Sequence, residues 1–291
     1  MTHCFDLAVV IVAYQMHREL PRTLLSLTPA YQRWRGAPAR LQVIVVDNGS
    51  SPPLERDAYD APGLDLTVIR PRAPTPSPAP ALNTGLALAD APLVGAWIDG
   101  ARLASAGLLQ AVCDAAARAP VPVIAPLNWQ LGPQRQFMAS QTGYDQAVED
   151  ALLKSVSWPD QPDRLFDISI CEVQPTALSP LLESNALFLH KTLWEALGGY
   201  DEAFDEPGGG CVNPDMLIRA CGHPGAQLIR LVDEATFHQF HGGVSTSDLD
   251  RAAAMMKHAS RFYYRLRGFP LRPVREAGLI HRSGKCCDAP V

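Results

Sequence analysis

The residues of this 291-residue chain best suited to chemistry are acids and histidines standing where apolar runs end. Residues 94–99, Val-Gly-Ala-Trp-Ile-Asp, close on one acid, Asp99, and Gly100, Ala101 and Arg102 follow. A single carboxylate offers too few hard oxygen ligands to hold Mg2+ or Mn2+ tightly. His238 and His241, in Phe-His-Gln-Phe-His-Gly-Gly, are the candidates to complete such a site, because imidazole binds Mn2+ acceptably. On an extended strand positions 238 and 241 face opposite sides, so one of the two is expected to reach the cation. The alternative route is metal-free, with Arg102, Arg251 or Lys257 neutralising charge that develops on a leaving group. Asp215, in Val212-Asn213-Pro214-Asp215, can accept a proton from an attacking hydroxyl. It can equally be an ordinary first-turn helix acid. Asp47, followed by Asn-Gly-Ser, is a ligand-binding carboxylate or a turn cap.

The elements that must position these residues follow from hydrophobic patterning. Residues 7–13 and 41–47 are continuous apolar runs rich in β-branched residues, the pattern of strands buried on both faces of a parallel sheet. Residues 64–70, 93–99 and 121–125 give three more strands, and 185–189 restores apolar order later in the chain. Between them, Leu20, Leu24 and Leu27 mark one helical face, 81–89 reads as a helix, and 103–119 reads as one long helix. Alternating strands and helices predict a doubly wound α/β sheet with right-handed crossovers. Ligands of such sheets bind beyond the carboxyl ends of the strands, where Asp47 and Asp99 both fall. Five prolines within residues 71–80 predict a stiff extended loop walling the site. The unpatterned residues 126–180 read as an insertion on the acceptor side. Gly208-Gly209-Gly210 reads as a mobile loop able to close over substrate. Leu249, Ala253, Met256, Tyr263 and Leu266 form a stripe that would dock the C-terminal region as a helix.

Composition bounds the answer. With 47% hydrophobic and 19% charged residues, the chain suits one large α/β domain with a modest appendage. Seven scattered cysteines without a C-x-x-C pair predict free thiols in a reducing compartment, and Cys286-Cys287 an exposed tail. The absence of an 18-residue apolar run and of a basic, apolar leader makes a cytoplasmic location the expectation. The net charge of −5 is unevenly distributed: residues 249–291 carry nine Lys/Arg against three Asp/Glu. Such a basic tail predicts peripheral contact with an anionic membrane surface or simply a solvated helix, and no nucleic-acid partner is expected. The absence of G-x-G-x-x-G after the first strand argues against a dinucleotide oxidoreductase. No Gly-rich basic loop is available to cradle a triphosphate.

Seven segments, in order, resemble the family 2 glycosyltransferases of the GT-A fold. They are Val-Ile-Val-Ala13-Tyr14-Gln, Val-Val-Asp47-Asn-Gly-Ser, Leu-Asn83-Thr-Gly85, Trp-Ile-Asp99-Gly-Ala, Leu-Gly198-Gly199-Tyr200-Asp201-Glu202, Asn213-Pro-Asp215-Met-Leu-Ile-Arg219 and Phe-His238-Gln-Phe-His241. The resemblance covers about residues 7–245 and implies a GT-A domain over 1–247, with a donor half (1–125) and an acceptor half (126–247). Residues 248–291 then form a basic C-terminal helix and tail. The implied activity is transfer of a sugar from a nucleoside diphosphate donor, UDP above all, to a hydroxyl of a glycan, lipid-linked sugar or small metabolite, with inversion. Ala13, Tyr14 and Asp47 would hold the base, and Asn83, Asp99 and Arg102 the rest of the donor. Gly199, Asp201 and Glu202 would meet the acceptor, and Asp215 would be the base. Metal would sit on Asp99 with His238 or His241. Where the family carries Asp-x-Asp, this chain has Asp99 and then Ala101, and the family's usual base aligns with Asn213. A degenerate protein that binds nucleotide sugars without catalysis is therefore the alternative.

Overall fold

A computed structural model describes residues 3–171, 179–241, 249–276 and 278–283. Strands β1 (Leu7–Ala13), β2 (Leu41–Asp47), β3 (Asp65–Ile69) and β4 (Leu93–Trp97) alternate with helices α1 (Glu19–Leu27) and α2 (Ala79–Leu88). Then come β5 (Arg102–Ala104), α3 (Leu108–Ala116), β6 (Pro122–Leu131), α4 (Gln136–Ala139), α5 (Gln146–Ser155) and β7 (Ser169–Cys171). The chain continues with β8 (Ala186–His190), α6 (Lys191–Leu197), α7 (Val212–Cys221), β9 (Gln227–His238), α8 (Leu249–Arg267) and β10 (Leu279–His281).

The strands share one mixed sheet in the order β10-β9-β6-β8-β4-β1-β2-β3, with β5 on β9 and β7 on β6. β1 pairs in parallel with β2, Ala13 opposite Asp47, and with β4, Ile11 opposite Trp97. The order reverses direction at β1, so the crevice between the ends of β1 and β4 is the topological switch point where such sheets take ligands. β8 runs antiparallel to both β4 and β6.

Period-two alternation distributes the strand side chains between two helical layers. Val10, Val12, Ile44 and Val46 face α2, α6, α7 and α8, while Val9, Ile11, Val43 and Val45 face α1 and α3. Leu20, Leu24 and Leu27 on α1 are at most 1% exposed, each contributing about 2 kcal/mol by burial. At Gly85, a Cβ would collide with Val10 Cγ1, so the missing side chain sets how closely α2 lies on β1. No helix among the described residues is long and apolar enough to cross a membrane.

Three expectations need correction. Residues 103–119 are not one helix: β5 pairs with β9, and Ser105 caps that pairing before α3 starts at Leu108. An apolar run carries no signal for the switch, because Leu103 and Ala104 are buried by a sheet rather than by a helix stripe. The fifth expected strand runs on to Leu131, bulging between Pro126 and Leu127, so residues 126–180 are in part sheet. The glycine run is tied down rather than loose: Gly208 N–H donates to Pro76 and Gly209 N–H to Glu206. Arg251 has no described side chain, and Cys286 and Cys287 lie outside the described residues.

Candidate functional site

The carboxyl ends of β1, β2 and β4 form one rim. Tyr14, just past β1, is 57% exposed and flanks it, while the Ala13 carbonyl accepts from Asn48 N–H at 2.8 Å. Asp47 is fully buried beneath the rim. Its oxygens accept from Ser50 N–H (2.8 Å), Leu54 N–H (3.2 Å) and Arg70 Nη1 (2.8 Å), so the chain itself takes up this carboxylate. The turn-cap reading therefore describes its contacts. Asn48 reaches the other way, donating to the Thr75 carbonyl at 2.8 Å and pinning the proline-rich loop against the rim.

At the end of β4, Asp99 Oδ1 accepts from Ala101 N–H (3.0 Å) and Oδ2 from Arg102 Nε (2.9 Å). Arg102 is almost wholly buried and also donates from Nη1 to Asn128 Oδ1 at 2.5 Å. It is thus committed to the wall of the site, and as a free cation for a leaving group it is unsuited. The β5–β9 register sets Arg102 across from His238, which brings the imidazole to 3.9 Å from Asp99 Oδ2. β9 stops at His238, and the turn over 239–241 folds His241 back, so the two Nε2 atoms lie 3.1 Å apart. The expectation that one histidine would point away assumed continued strand, and it is corrected here. One ligand atom each from Asp99, His238 and His241 lie within 4.8 Å of one another.

Electrostatics suit the cluster to a cation ligand set. Burial, reinforced by Arg102 and His241, takes His238 down to about 3, so its imidazole is neutral at pH 7. Burial raises Asp99, but Arg102 and the two histidines outweigh it and hold the group at about 2. Ala101, in the place of a second acid, is completely buried, with its carbonyl accepting from Gln239 N–H at 2.8 Å.

The turn expected to meet an acceptor follows α6. Gly198 ends that helix in the left-handed region (φ 70°) and Gly199 continues there (φ 69°). Asn83 on α2 holds the turn from both sides, accepting from Tyr200 N–H (2.8 Å) and donating to the Tyr200 carbonyl and Glu202 Oε1, both at 2.9 Å. Asn83 thereby braces α2 against the turn while lining the cleft beside it. Asp201 pairs with Arg267 Nη2 at 2.7 Å. Together these residues line an open cleft of about 380 Å3.

Asp215 is 1% exposed on α7. Its Oδ2 accepts from Arg219 Nε (2.7 Å) and Arg267 Nη2 (2.8 Å), and its Oδ1 from Arg267 Nε (2.6 Å). Three guanidinium contacts on a buried carboxylate make it the anchor of α8 on α7, and they leave no approach for a hydroxyl. Asn213, two residues earlier, donates to Glu183 Oε2 (3.1 Å) and Asn185 Oδ1 (2.9 Å).

Sequence reasoning missed Arg70, Asn128, Glu149, Glu183 and Arg267. Glu149 is fully buried on α5 and accepts from Phe240 N–H at 2.6 Å and Arg18 Nη1 at 3.2 Å, steadying the turn that carries His241. Burial pushes it up to about 7 despite those donors. No local pattern marks these residues, since each acts across a gap of more than 20 positions.

No family model and no curated protein matches the sequence. Solved structures do match. S. aureus TarS 1-349 superposes with TM-score 0.51 at 15% identity, covering 89% of this chain and 65% of that one. Its complex with UDP-GlcNAc matches with TM-score 0.51 at 14% identity, over 91% of this chain and 73% of that one. Mannosyltransferase PcManGT from Pyrobaculum calidifontis, in complex with GDP-Man and Mn2+, matches with TM-score 0.53 at 18% identity, over 91% and 65%. The chain thus spans about two thirds of the length of TarS 1-349, and it has the α/β fold of these glycosyltransferase structures. Likeness at such identity establishes the fold.

Proposed function

We propose that the protein is a glycosyltransferase that moves a sugar from a nucleoside diphosphate donor, a UDP-sugar, to a hydroxyl acceptor with inversion. The observation that carries this is the cluster of Asp99, His238 and His241 at the topological switch point, where a fold of this type takes its donor. Two imidazoles beside a carboxylate are a donor set that accepts Mn2+ more readily than Mg2+, which prefers an all-oxygen octahedron. Bound there, the cation would neutralise charge on the departing diphosphate. The remaining parts belong to the chain. Tyr14 and the Asp47 turn offer the surface on which a base can lie, and the loop pinned by Asn48 walls it. The Gly199–Glu202 turn supplies the acceptor side. In the transfer, an acceptor oxygen forms a bond to the anomeric carbon from the face opposite the diphosphate. The carbon–oxygen bond to the diphosphate breaks with its electron pair, and the hydroxyl proton passes to a carboxylate.

The basic outer face of α8, with Lys257, Arg261 and Arg265 around exposed Tyr264, supports an acceptor or partner presented at an anionic surface. A second reading, a nucleotide-sugar-binding protein without turnover, is favoured by Arg102 on Asp99 and by Ala101 and Asn213 in place of acids. Calorimetric titration of UDP in EDTA and then in Mn2+, followed by assay of UDP release from UDP-sugars, separates the two. Mn2+-dependent binding with turnover supports the transferase, and binding without turnover the second reading. No binding of UDP in either condition sinks the donor assignment.

A further inference from the structure

Resting on the glycosyl-transfer reading, we propose that Glu183 is the general base and that Asn213 is the residue that positions it. The placement comes from strand register. β8 lies antiparallel to β4 with Ala186 opposite Trp97, and Ile98 N–H donates to the Asn185 carbonyl at 3.3 Å, extending the pairing by one residue. Because β8 runs against β4, the residues that lead into it arrive at the end of β4 where Asp99 stands. Glu183 is the carboxylate on that lead-in segment, half-buried and two residues before Asn185.

Side-chain alternation sets its direction. Ser184 turns towards β6, where its Oγ bonds the Pro126 carbonyl at 3.4 Å. Glu183 and Asn185 point to the opposite side, and one amide nitrogen, Asn213 Nδ2, donates to both, at 3.1 Å and 2.9 Å. Asn213 is 5% exposed and stands in the first turn of α7, so its amide is fixed by the fold.

The other half of that amide is the independent observation. Asn213 Oδ1 is buried and has no hydrogen-bond partner among the described residues. A buried acceptor left unpaired is costly, so it normally has a use. Beside a carboxylate that takes up a proton, the use is direct. Ionised Glu183 accepts from Nδ2, and Glu183 carrying the transferred proton has an O–H to donate to Oδ1. An amide serves both states, whereas a guanidinium serves the ionised one alone. Asp215, two residues on, is held by two guanidinium groups and is unsuited to the same cycle. The balance closes: the acceptor oxygen bonds the anomeric carbon, its proton moves to Glu183, and the diphosphate leaves with the bonding electrons.

The test is UDP release from UDP-GlcNAc and UDP-glucose, together with UDP binding by calorimetry, on the full chain. Glu183→Gln should lower turnover about 100-fold or more while UDP affinity stays within about twofold and the melting temperature is held. Asn213→Ala should lower turnover less and move the acidic limb of the pH–rate profile, which a purely structural role would leave in place. The double variant Glu183→Gln with Asn213→Asp should recover part of the lost turnover, since a carboxylate returns to the same cluster. Wild-type-like turnover of Glu183→Gln overturns this proposal and leaves the transferase reading standing. No UDP release by the wild-type protein overturns both.

Discussion

Arg102 and His238 face each other across the β5–β9 pairing, and both point at Asp99 Oδ2, the guanidinium Nε at 2.9 Å and the imidazole Nε2 at 3.9 Å. A fixed positive charge and an imidazole nitrogen able to ligate a metal thus converge on one carboxylate oxygen. A dication placed on Asp99, His238 and His241 would have to share that oxygen with Arg102, so moderate rather than tight affinity is the expected outcome.

Removing the competing charge should therefore tighten the metal while loosening the fold. Arg102→Met is expected to raise Mn2+ affinity about tenfold, equivalent to ~1.4 kcal/mol. It should also lower stability by about 3 kcal/mol, because a buried carboxylate and Asn128 lose their partner. Asp99→Ala should abolish Mn2+ binding. Electron paramagnetic resonance titration of Mn2+ reads both; unchanged affinity in both variants would mean that the cluster holds no metal.

The acid missing at position 101 cannot simply be restored. Ala101 belongs to the same apolar cluster as Ala13, Met16 and Leu20 and has no exposed surface. Ala101→Asp places a carboxylate in an apolar cluster and should destabilise the protein by ~3 kcal/mol or more. Mn2+ affinity should not rise. Urea unfolding together with the same titration decides, and a stable variant with stronger metal binding refutes it.

Burial of Glu149 gives the stability curve a definite slope. The group moves from 4.5 up to about 7, so the native state keeps a proton that the unfolded chain releases. Its contribution is intact below about 4.5 and is lost as pH rises towards about 7. His238 runs the other way, intact above 6.5 and lost as pH falls towards about 3. Glu149→Gln leaves the histidine contribution in place, so the difference between the two proteins isolates the acid. The melting temperature of wild type minus that of Glu149→Gln should fall by several degrees between pH 4.5 and 7, and a flat difference refutes the assignment.

Asp215 and Arg267 should behave as one unit. Asp215→Asn and Arg267→Ala should each cost about 3 kcal/mol. The double variant should cost clearly less than the sum, because the same contact is lost in each. UDP affinity should be unchanged in Asp215→Asn. Denaturant unfolding through the full double-mutant cycle measures the coupling, and strict additivity would contradict the clamp.

The parallel half of the fold is legible in the sequence because β1 and β2 are unbroken apolar runs, and Asp47 and Asp99 mark where they and β4 end. β5 is not legible: three residues paired to a strand 130 positions later look like the start of a helix. The pairing of His238 with His241 was hidden for a related reason. The strand stops at His238, and that stop is set by tertiary contacts, including Glu149 on Phe240 N–H, rather than by a local breaker. The resemblance placed Asp215 in the acceptor region, but its partner Arg267 lies 52 residues away, beyond the reach of any motif. Polar pairs across such distances leave no periodic trace, and they decide which carboxylates are tied down.

The reversed direction of β8 divides the labour of the rim between two kinds of chain segment. Parallel strands bring their final residues there, so Ala13, Asp47 and Asp99 each stand where the chain leaves its strand for a loop. β8 brings its opening residues instead, so Glu183, Ser184 and Asn185 stand at the rim before their strand rather than after it. A change at Glu183 or Ser184 can thus alter the rim without disturbing a single parallel pairing. Under the transferase reading proposed above, the two sides of the rim can therefore be altered one at a time, and a designer could retune one while leaving the other untouched.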